Sequence, residues 1–319
     1  MTADRRAAAI DAVAITAAVA IALALGEFLA QLGGIWASAA GLISAGAMVG
    51  LPLLWTQHRK LTGDILAVDP PLLRSAWHGV AVALVVLPIY AMGFDAWQTH
   101  VLHKQRGSGI GLLSPGLDWQ GEPARGVPLA ISEARDGVVV HNHTNRVLAV
   151  RVAERHRPVP ASGRVRVELR AGERLDVVDT AGVRQSGVQL GASGSTVELP
   201  VEYAPNFYWL FLLLIVQIAA VALPEELLFR GFVLTRLRVL WPPQRKLLGV
   251  PFGLAHVGSA ARFAVVHLVA VPAPFRLAVF FPGLLFAWIA ERSRSSLAAA
   301  VNHALCNAML AVLLRLYPP

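Results

Sequence analysis

The feature that most constrains this chain is a cluster of charges inside one of its most apolar stretches. The stretch runs from Phe207 to Leu234, is long enough to enter or cross a bilayer, and contains Glu225, Glu226 and Arg230. A charge at membrane depth costs about 2.5–3.5 kcal/mol on insertion scales, so such residues usually mark a functional site. Two adjacent carboxylates with an arginine one turn later suggest acid–base chemistry inside a membrane.

The composition is that of a polytopic membrane protein. Of the 319 residues, 55% are hydrophobic and only 15% are charged, which is too apolar for an ordinary soluble protein of this size. A spanning helix needs about 20 mostly apolar residues. Seven stretches qualify, at about 8–32, 35–56, 76–97, 207–235, 247–272, 275–292 and 296–316, and the fifth is interrupted by Gly, His and Ser. The first is longer than the apolar region of a signal peptide, so we expect a retained span.

A stretch of different composition separates the third and fourth spans. Residues 98–204 are rich in Arg, Gly and Val and contain no run long enough to cross a membrane. Four segments alternate as strands do, beginning at Gly137, Arg146, Arg164 and Ser195. We expect a small β-sandwich-like domain. This gives three regions: 1–97 with three spans, the β-rich insertion 98–204, and 205–319 with four spans.

Basic residues near the span ends predict the orientation of the chain. With seven spans, they all fall on one side: Arg5, Arg6, Arg59, Lys60, Arg74, Arg236, Arg238, Arg245, Lys246, Arg292 and Arg294. The N-terminus would then be cytoplasmic and the β insertion periplasmic, in a multi-pass protein of the cell inner membrane. This pattern accounts for the net charge of +8. The expected partners are a lipid bilayer and a membrane-associated protein substrate, and not nucleic acid.

Three short motifs in the last hundred residues carry the candidate chemistry. Each places two side chains on one helix face by its i, i+4 spacing: Glu226 with Arg230 (beside Glu225), Phe263 with His267, and His303 with Asn307. Polar groups in apolar helices should face the bundle interior and pair with one another. We therefore expect three helices to present two carboxylates, two imidazoles and an amide to one cavity.

These residue types suit peptide hydrolysis. A carboxylate withdrawn from water can act as a general base on a water molecule, and a histidine can share that proton or pass it to the leaving amine. A second histidine and an amide N–H can stabilise the oxyanion of a tetrahedral intermediate. Arg230 would keep one glutamate ionised and hold the other in place.

The order EExxxR, FxxxH and HxxxN in successive apolar segments resembles the CPBP family, the CAAX proteases and bacteriocin-processing (Abi) enzymes of the Rce1 type. The resemblance covers about residues 207–316 and implies a glutamate-type intramembrane endopeptidase without a cofactor. It implies that Glu225 and His267 activate water and that His303 and Asn307 form the oxyanion site. Glu226, Arg230 and Phe263 would support them.

The 98–204 insertion is not a standard element of that family. Enlarged members of this kind occur among bacterial sorting peptidases such as myxosortases, which cleave the C-terminal anchor segments of surface proteins. The expected substrate under this interpretation is an exported protein with a C-terminal sorting signal.

Other interpretations stay open from the sequence. The charges could form a structural ion pair in a non-catalytic scaffold or immunity-type protein, or relay protons in a transporter. A glutamate and two histidines could bind zinc with an open water position, although no HExxH motif is present. A role for Cys306 as a nucleophile needs a base beside it, and packing is the favoured interpretation for this residue.

Overall fold

The computed structural model describes residues 2–32, 34–61, 71–104, 129–134, 137–170, 172–178, 184–190, 197–198, 208–270 and 272–317. The chain divides into two compact units. The first contains Met1–Val86 and Ile215–Cys306, and the second contains Leu87–Leu214 and Asn307–Pro319.

Apolar helices dominate the described part of the chain. They are α1 (Ala3–Gln31), α2 (Gly34–Arg59), α3 (Leu72–Ala96, continued by a π-helical turn Trp97–Val101), α4 (from Tyr208 to Leu240), α5 (Leu254–Ala270), α6 (Phe280–Ser293, preceded by a 3₁₀ turn Pro274–Val279) and α7 (Ser296–Leu316). Among the described residues, six helices are long and apolar enough to cross a membrane, and α5 is a shorter apolar helix. The predicted helical, multi-pass fold class is confirmed.

The predicted fifth span, 247–272, begins as a hairpin and only then becomes a helix. Strands Arg245–Leu247 and Val250–Phe252 pair, and the 17 residues of α5 follow. At 1.5 Å per residue α5 is about 25 Å long, slightly less than the hydrocarbon thickness of a bilayer.

The path of α5 follows from contacts at one end of the first unit. Glu291, near the end of α6, lies 2.7 Å from Arg238 at the end of α4 and 3.4 Å from His256 at the start of α5. The Trp288 indole donates a hydrogen bond to the hairpin carbonyl of Leu247. The end of α4, the start of α5 and the end of α6 therefore meet. Consequently α5 runs away from this end and α6 returns to it, while the seventh crossing stays a prediction.

The first unit has a continuous apolar core. Phe229 and Phe232 of α4, Phe263 of α5 and Phe286 of α6 are almost fully buried in it. Helix α3 approaches α7 closely at Gly79, where a Cβ would lie 2.3 Å from the carbonyl oxygen of Ala298. Only glycine permits this approach.

The second unit contains the β domain. A three-stranded sheet has the order β1-β2-β5 and a five-stranded sheet the order β4-β3-β6-β7-β8, all antiparallel. The strands are β1 (Leu129–Ala134), β2 (Gly137–Asn142), β3 (Leu148–Val152), β4 (Arg155–Val159), β5 (Arg164–Glu168), β6 (Arg174–Val178), β7 (Arg184–Leu190) and β8 (Val197–Glu198). Apolar residues of both sheets share one core, including Ile131, Val140, Val150 and Val177. This is the predicted sandwich-like arrangement, while the boundaries 98 and 204 stay a prediction.

Candidate active site

The helix that carries the paired glutamates has an unusual backbone. In α4, π-helical segments Gln217–Ala222 and Leu227–Val233 lie on either side of the short α-helical segment Leu223–Glu226. Short π segments inside helices occur frequently at functional sites. The hydroxyl of Ser259 on α5 donates a hydrogen bond to the carbonyl oxygen of Phe229 (2.9 Å). This bond fastens α5 to the second π segment, beside Arg230.

Glu226 is at the centre of a fully buried ionic network. One of its oxygens lies 3.0 Å from Arg230 Nε, and the other lies 3.0 Å from His303 Nδ1. Arg230 also donates from Nη2 to the carbonyl oxygen of Gly283 on α6 (2.9 Å). Its guanidinium carbon lies 4.6 Å from the ring centre of Phe263. One carboxylate thus connects α4 with α7 and, through Arg230, with α6.

Glu225 has different surroundings from its neighbour. Its Oε2 atom lies 3.9 Å from Nε2 of His267 and 3.8 Å from Nε2 of His303. This oxygen is buried and accepts no hydrogen bond from any residue that the structure describes. Since both separations exceed a direct hydrogen bond, the Glu225 carboxylate lies near both imidazoles without bonding to either.

The other ring nitrogen of each histidine has an acceptor as its partner. His267 Nδ1 lies 2.9 Å from the carbonyl oxygen of Phe263, and His303 Nδ1 faces the Glu226 carboxylate. An acceptor at Nδ1 requires that Nδ1 carry the proton. In the neutral form of each ring, Nε2 is therefore the basic nitrogen, and both Nε2 atoms point toward Glu225 Oε2.

Aromatic rings fix the planes of the two imidazoles. The Phe263 ring centre lies 4.3 Å from that of His267, and Phe286 stacks on His303 at 4.6 Å with an interplanar angle of 19°. Gly283, one turn before Ala287 on α6, allows α5 to come close, because a Cβ there would lie 3.2 Å from the Phe263 ring. The rigid rings hold the imidazoles without competing for their protons.

The structure brings six of the seven sequence-predicted site residues together. They are Glu225, Glu226, Arg230, Phe263, His267 and His303, from α4, α5 and α7. Asn307 is half-buried, follows His303 by four residues on α7, and falls in the second compact unit.

The sequence did not single out three residues that contact the six site residues or the π segment that carries Arg230. Ser259, Gly283 and Phe286 lie on α5 and α6 and have no motif spacing relative to the glutamates. The only sequence features that could have indicated them are a serine within an apolar helix (Ser259) and a glycine among bulky apolar residues (Gly283).

The described residues contain no group of three or more His, Cys, Asp or Glu side chains whose arrangement could hold a metal ion. The sequence-based zinc alternative would use Glu225 Oε2 and the Nε2 atoms of His267 and His303, which lie 3.9 and 3.8 Å from that oxygen. Cys306, on the same helix as His303, directs its thiol to the amide oxygen of Asn302 at 3.7 Å.

Comparison with known proteins gives one match. Residues 207–309 match the family model described as type II CAAX prenyl endopeptidase Rce1-like. The matched segment contains all seven of the predicted site residues and about a third of the chain. No curated protein and no solved structure matches.

Proposed function

Because residues 207–309 match the Rce1-like family model of type II CAAX prenyl endopeptidases, we propose that this protein is a glutamate-type intramembrane endopeptidase. It hydrolyses a peptide bond near or within a membrane-associated segment of a protein. The observation that carries the proposal is the convergence of Glu225 Oε2 with the Nε2 atoms of His267 and His303 at 3.8–3.9 Å.

The first step is the activation of water by Glu225 and His267. A water molecule at about 2.8 Å from both Oε2 and Nε2 fits between atoms that are 3.9 Å apart. Both atoms are acceptors, so the water donates its hydrogens to them and directs a lone pair at the substrate carbonyl carbon. Its oxygen forms the new C–O bond while the proton passes to Glu225.

The second step is the stabilisation of the oxyanion and the departure of the amine. We assign an oxyanion donor to His303 Nε2–H, and the family resemblance adds the Asn307 amide as a second. Removing one such donor costs about 2.7–4 kcal/mol in comparable sites. His303 donates from Nε2 only as an imidazolium, with the Glu226 carboxylate as the acceptor at Nδ1. The proton held by Glu225 then passes to the leaving nitrogen as the C–N bond breaks.

Glu226 and Arg230 have a supporting function in this scheme. Arg230 pairs with Glu226 and contacts α6 at Gly283, so it holds the carboxylate that orients His303. Breaking a buried pair leaves an uncompensated charge. Loss of either Glu226 or Arg230 should therefore also displace His303 from its position in the site.

A purely structural ion pair accounts for only part of this arrangement. It explains Glu226 and Arg230, which are 3.0 Å apart. It does not explain why Glu225, buried at the adjacent position, lies 3.8–3.9 Å from the Nε2 atoms of two imidazoles with no hydrogen bond to its Oε2 from the described residues. A non-catalytic scaffold has no use for that carboxylate.

We propose that the reaction needs no metal ion. In support, the Arg230 guanidinium pairs with Glu226, the carboxylate that bonds to His303, so this network already contains a cation. The zinc-dependent alternative uses the same Glu225, His267 and His303 and predicts inactivation by chelators.

We propose exported proteins with a C-terminal membrane anchor as the substrate class. A domain with a β-sandwich-like core directly precedes the catalytic helix in the chain. Such a domain could bind the part of the substrate that lies outside the membrane, while the C-terminal anchor of the substrate reaches the apolar helices.

The experiment is a comparison of protein C-termini in membranes from three strains: wild type, a deletion, and the deletion complemented with Glu225→Ala. A set of proteins that keep their hydrophobic tails in the second and third strains supports the proposal and gives the cleavage position. Tails that are restored by Glu225→Ala would refute it and favour the scaffold. Tails unchanged in all three strains would remove the sorting substrate class.

A further inference from the structure

The first unit contains an apolar groove that the proposed chemistry does not use. It lies between α3, α6 and the hairpin before α5, and has a volume of about 590 Å³. Ala81, Val82 and Val85 of α3 form one wall, and Leu285 and Trp288 of α6 form the other. The volume is within the range of about 300–1,000 Å³ that is typical of small-molecule sites.

The groove and the catalytic groups lie on opposite faces of α6. At 100° per residue, Leu285, Trp288 and Arg292 share one side of the helix, whereas Gly283 and Phe286 face Arg230 and His303. A molecule in the groove therefore does not reach the scissile bond, but it packs against the back of the helix that supports the site.

One end of the groove is basic. Arg292 and His78 line it there, at the end of the unit where the basic residues of the other helices gather. Glu291, the neighbouring carboxylate, is paired with Arg238 at 2.7 Å and does not neutralise Arg292. Among the described residues, Arg292 forms no ion pair. The groove thus has apolar walls along most of its length and, at one end, the guanidinium of Arg292, which is unpaired among the described residues.

We propose that this groove binds one anionic phospholipid, with an acyl chain along α3 and α6 and the phosphate at Arg292 and His78. Basic pockets between transmembrane helices are suited to anionic lipid head groups. A peptide helix of ten residues, about 10 Å wide and 15 Å long, occupies roughly 1,200 Å³, twice the volume of the groove. A single acyl chain is narrower than a helix and fits the groove while the second chain lies in the bilayer, and the basic end favours an anionic head group.

The test is native mass spectrometry of the delipidated full-length protein with added dioleoyl-phosphatidylglycerol or dioleoyl-phosphatidylcholine. Arg292→Gln removes the cation, and Arg294→Gln, two residues later and outside the groove, is its matched control. Ala81→Trp fills the groove, and Leu84→Trp, on an exposed face of α3, controls for the added indole. Binding is read without any cleavage assay, so its result is independent of the proposed function.

The wild-type protein should bind one phosphatidylglycerol with about fivefold preference over phosphatidylcholine, as expected for one basic side chain near an anionic head group. Arg292→Gln should lose the preference and Ala81→Trp should lose the bound lipid, while both controls behave as wild type. Equal binding of the two lipids by wild type would overturn the proposal. So would retention of the bound lipid in Ala81→Trp, since the lipid would then lie elsewhere.

Discussion

At the residue scale, two adjacent glutamates have acquired separate environments. Glu226 is fully buried, hydrogen-bonded to His303 and ion-paired with Arg230, and these contacts hold it in place. Glu225 faces two imidazole nitrogens at distances that leave room for a reactant. Adjacent positions on a helix differ by about 100° in direction, so one carboxylate lies inside the ion-pair network while the next faces His267 and His303.

This difference predicts unequal effects of two isosteric substitutions. Glu225→Gln should reduce cleavage by about 10²- to 10⁴-fold, the usual contribution of a general base, and leave the melting temperature near that of wild type. Glu226→Gln should reduce both activity and stability, because Arg230 would lose its buried partner. Thermal unfolding and cleavage rates measured on the same preparations check this. Equal losses of stability in the two variants would contradict the assignment.

The bond from Ser259 to the π segment predicts a positioning effect. Ser259→Ala should cost about 1 kcal/mol of stability and lower kcat more than it raises KM, because α5 and α4 would no longer be fastened beside Arg230. Thr16→Ala is the control, since that hydroxyl bonds only to the carbonyl of Ala12 in its own helix. A kcat for Ser259→Ala equal to that of Thr16→Ala would show that this bond does not position the site.

The sequence was sufficient to predict the polar residues of the site but not all of their partners. The i, i+4 spacing predicted the pairing of Glu226 with Arg230, which the structure has at 3.0 Å. It could not predict that His303 bonds to Glu226 or that Phe286 stacks on His303. These contacts join different helices, and their geometry depends on helix packing that no local pattern encodes.

At the element scale, a second buried charge cluster joins three helices. Asp11 of α1 is fully buried, lies 3.3 Å from Arg59 of α2 and 3.2 Å from Arg236 of α4, and accepts a hydrogen bond from Trp55. The sequence offered little sign of it, because the partners are 44 or more residues away. The cluster closes one end of the first unit, at the start of α1 and the end of α2.

This cluster predicts a stability effect that is separate from catalysis. Asp11→Asn should destabilise the protein by about 2–3 kcal/mol, less than a fully buried pair, because the Arg59 side chain is 40% exposed. Glu27→Gln on the exposed side of the same helix should have little effect. Denaturation in a fixed detergent measures both, and similar stabilities for the two variants would contradict the structural function of Asp11.

If α5 crosses the membrane, its two ends should be accessible from opposite sides of the membrane. With Cys306 replaced by Ala, a cysteine at Lys246 in the hairpin and one at Pro272 after α5 should react with an impermeant maleimide from opposite sides of the membrane. The reason is that α5 leaves the end at which the hairpin lies, and α6 returns to it. Labelling of both from the same side would mean that α5 does not cross.

The sequence predicted helices better than strands. Long apolar runs identify membrane helices regardless of packing, and the observed helices overlap all seven predicted spans. Strands β2, β3 and β5 alternate clearly and were predicted, whereas β4 contains Pro158 at a sheet edge and β7 contains Gly187, residues that are depleted in strands. The π segments of α4 had no local signal at all.

At the scale of the whole molecule, catalytic and accessory parts are separate along the chain. The family match begins at residue 207, after the three N-terminal helices and the β domain. Nevertheless α1 and α2 contact α4 through Asp11, and the Asn302 amide of α7 donates a hydrogen bond to the carbonyl of Gly79 in α3. The N-terminal helices therefore belong to the structural support of the catalytic region.

Because we propose that the reaction needs no metal ion, we expect the activity to resist chelators. Purified protein treated with EDTA and then with 1,10-phenanthroline should keep its activity, and elemental analysis should find less than one zinc per ten chains. Loss of activity that added zinc restores would instead assign Glu225, His267 and His303 as ligands.

The most direct test of the central claim is cleavage by the purified, reconstituted protein. Wild type, Glu225→Gln and Glu27→Gln are each incorporated into liposomes with a mass-encoded library of membrane-inserted peptides, and products are identified by mass spectrometry. We expect defined cleavage products from wild type and Glu27→Gln, and an initial rate of product formation that is at least about 10²-fold lower for Glu225→Gln. Equal initial rates for Glu225→Gln and wild type would contradict the claim.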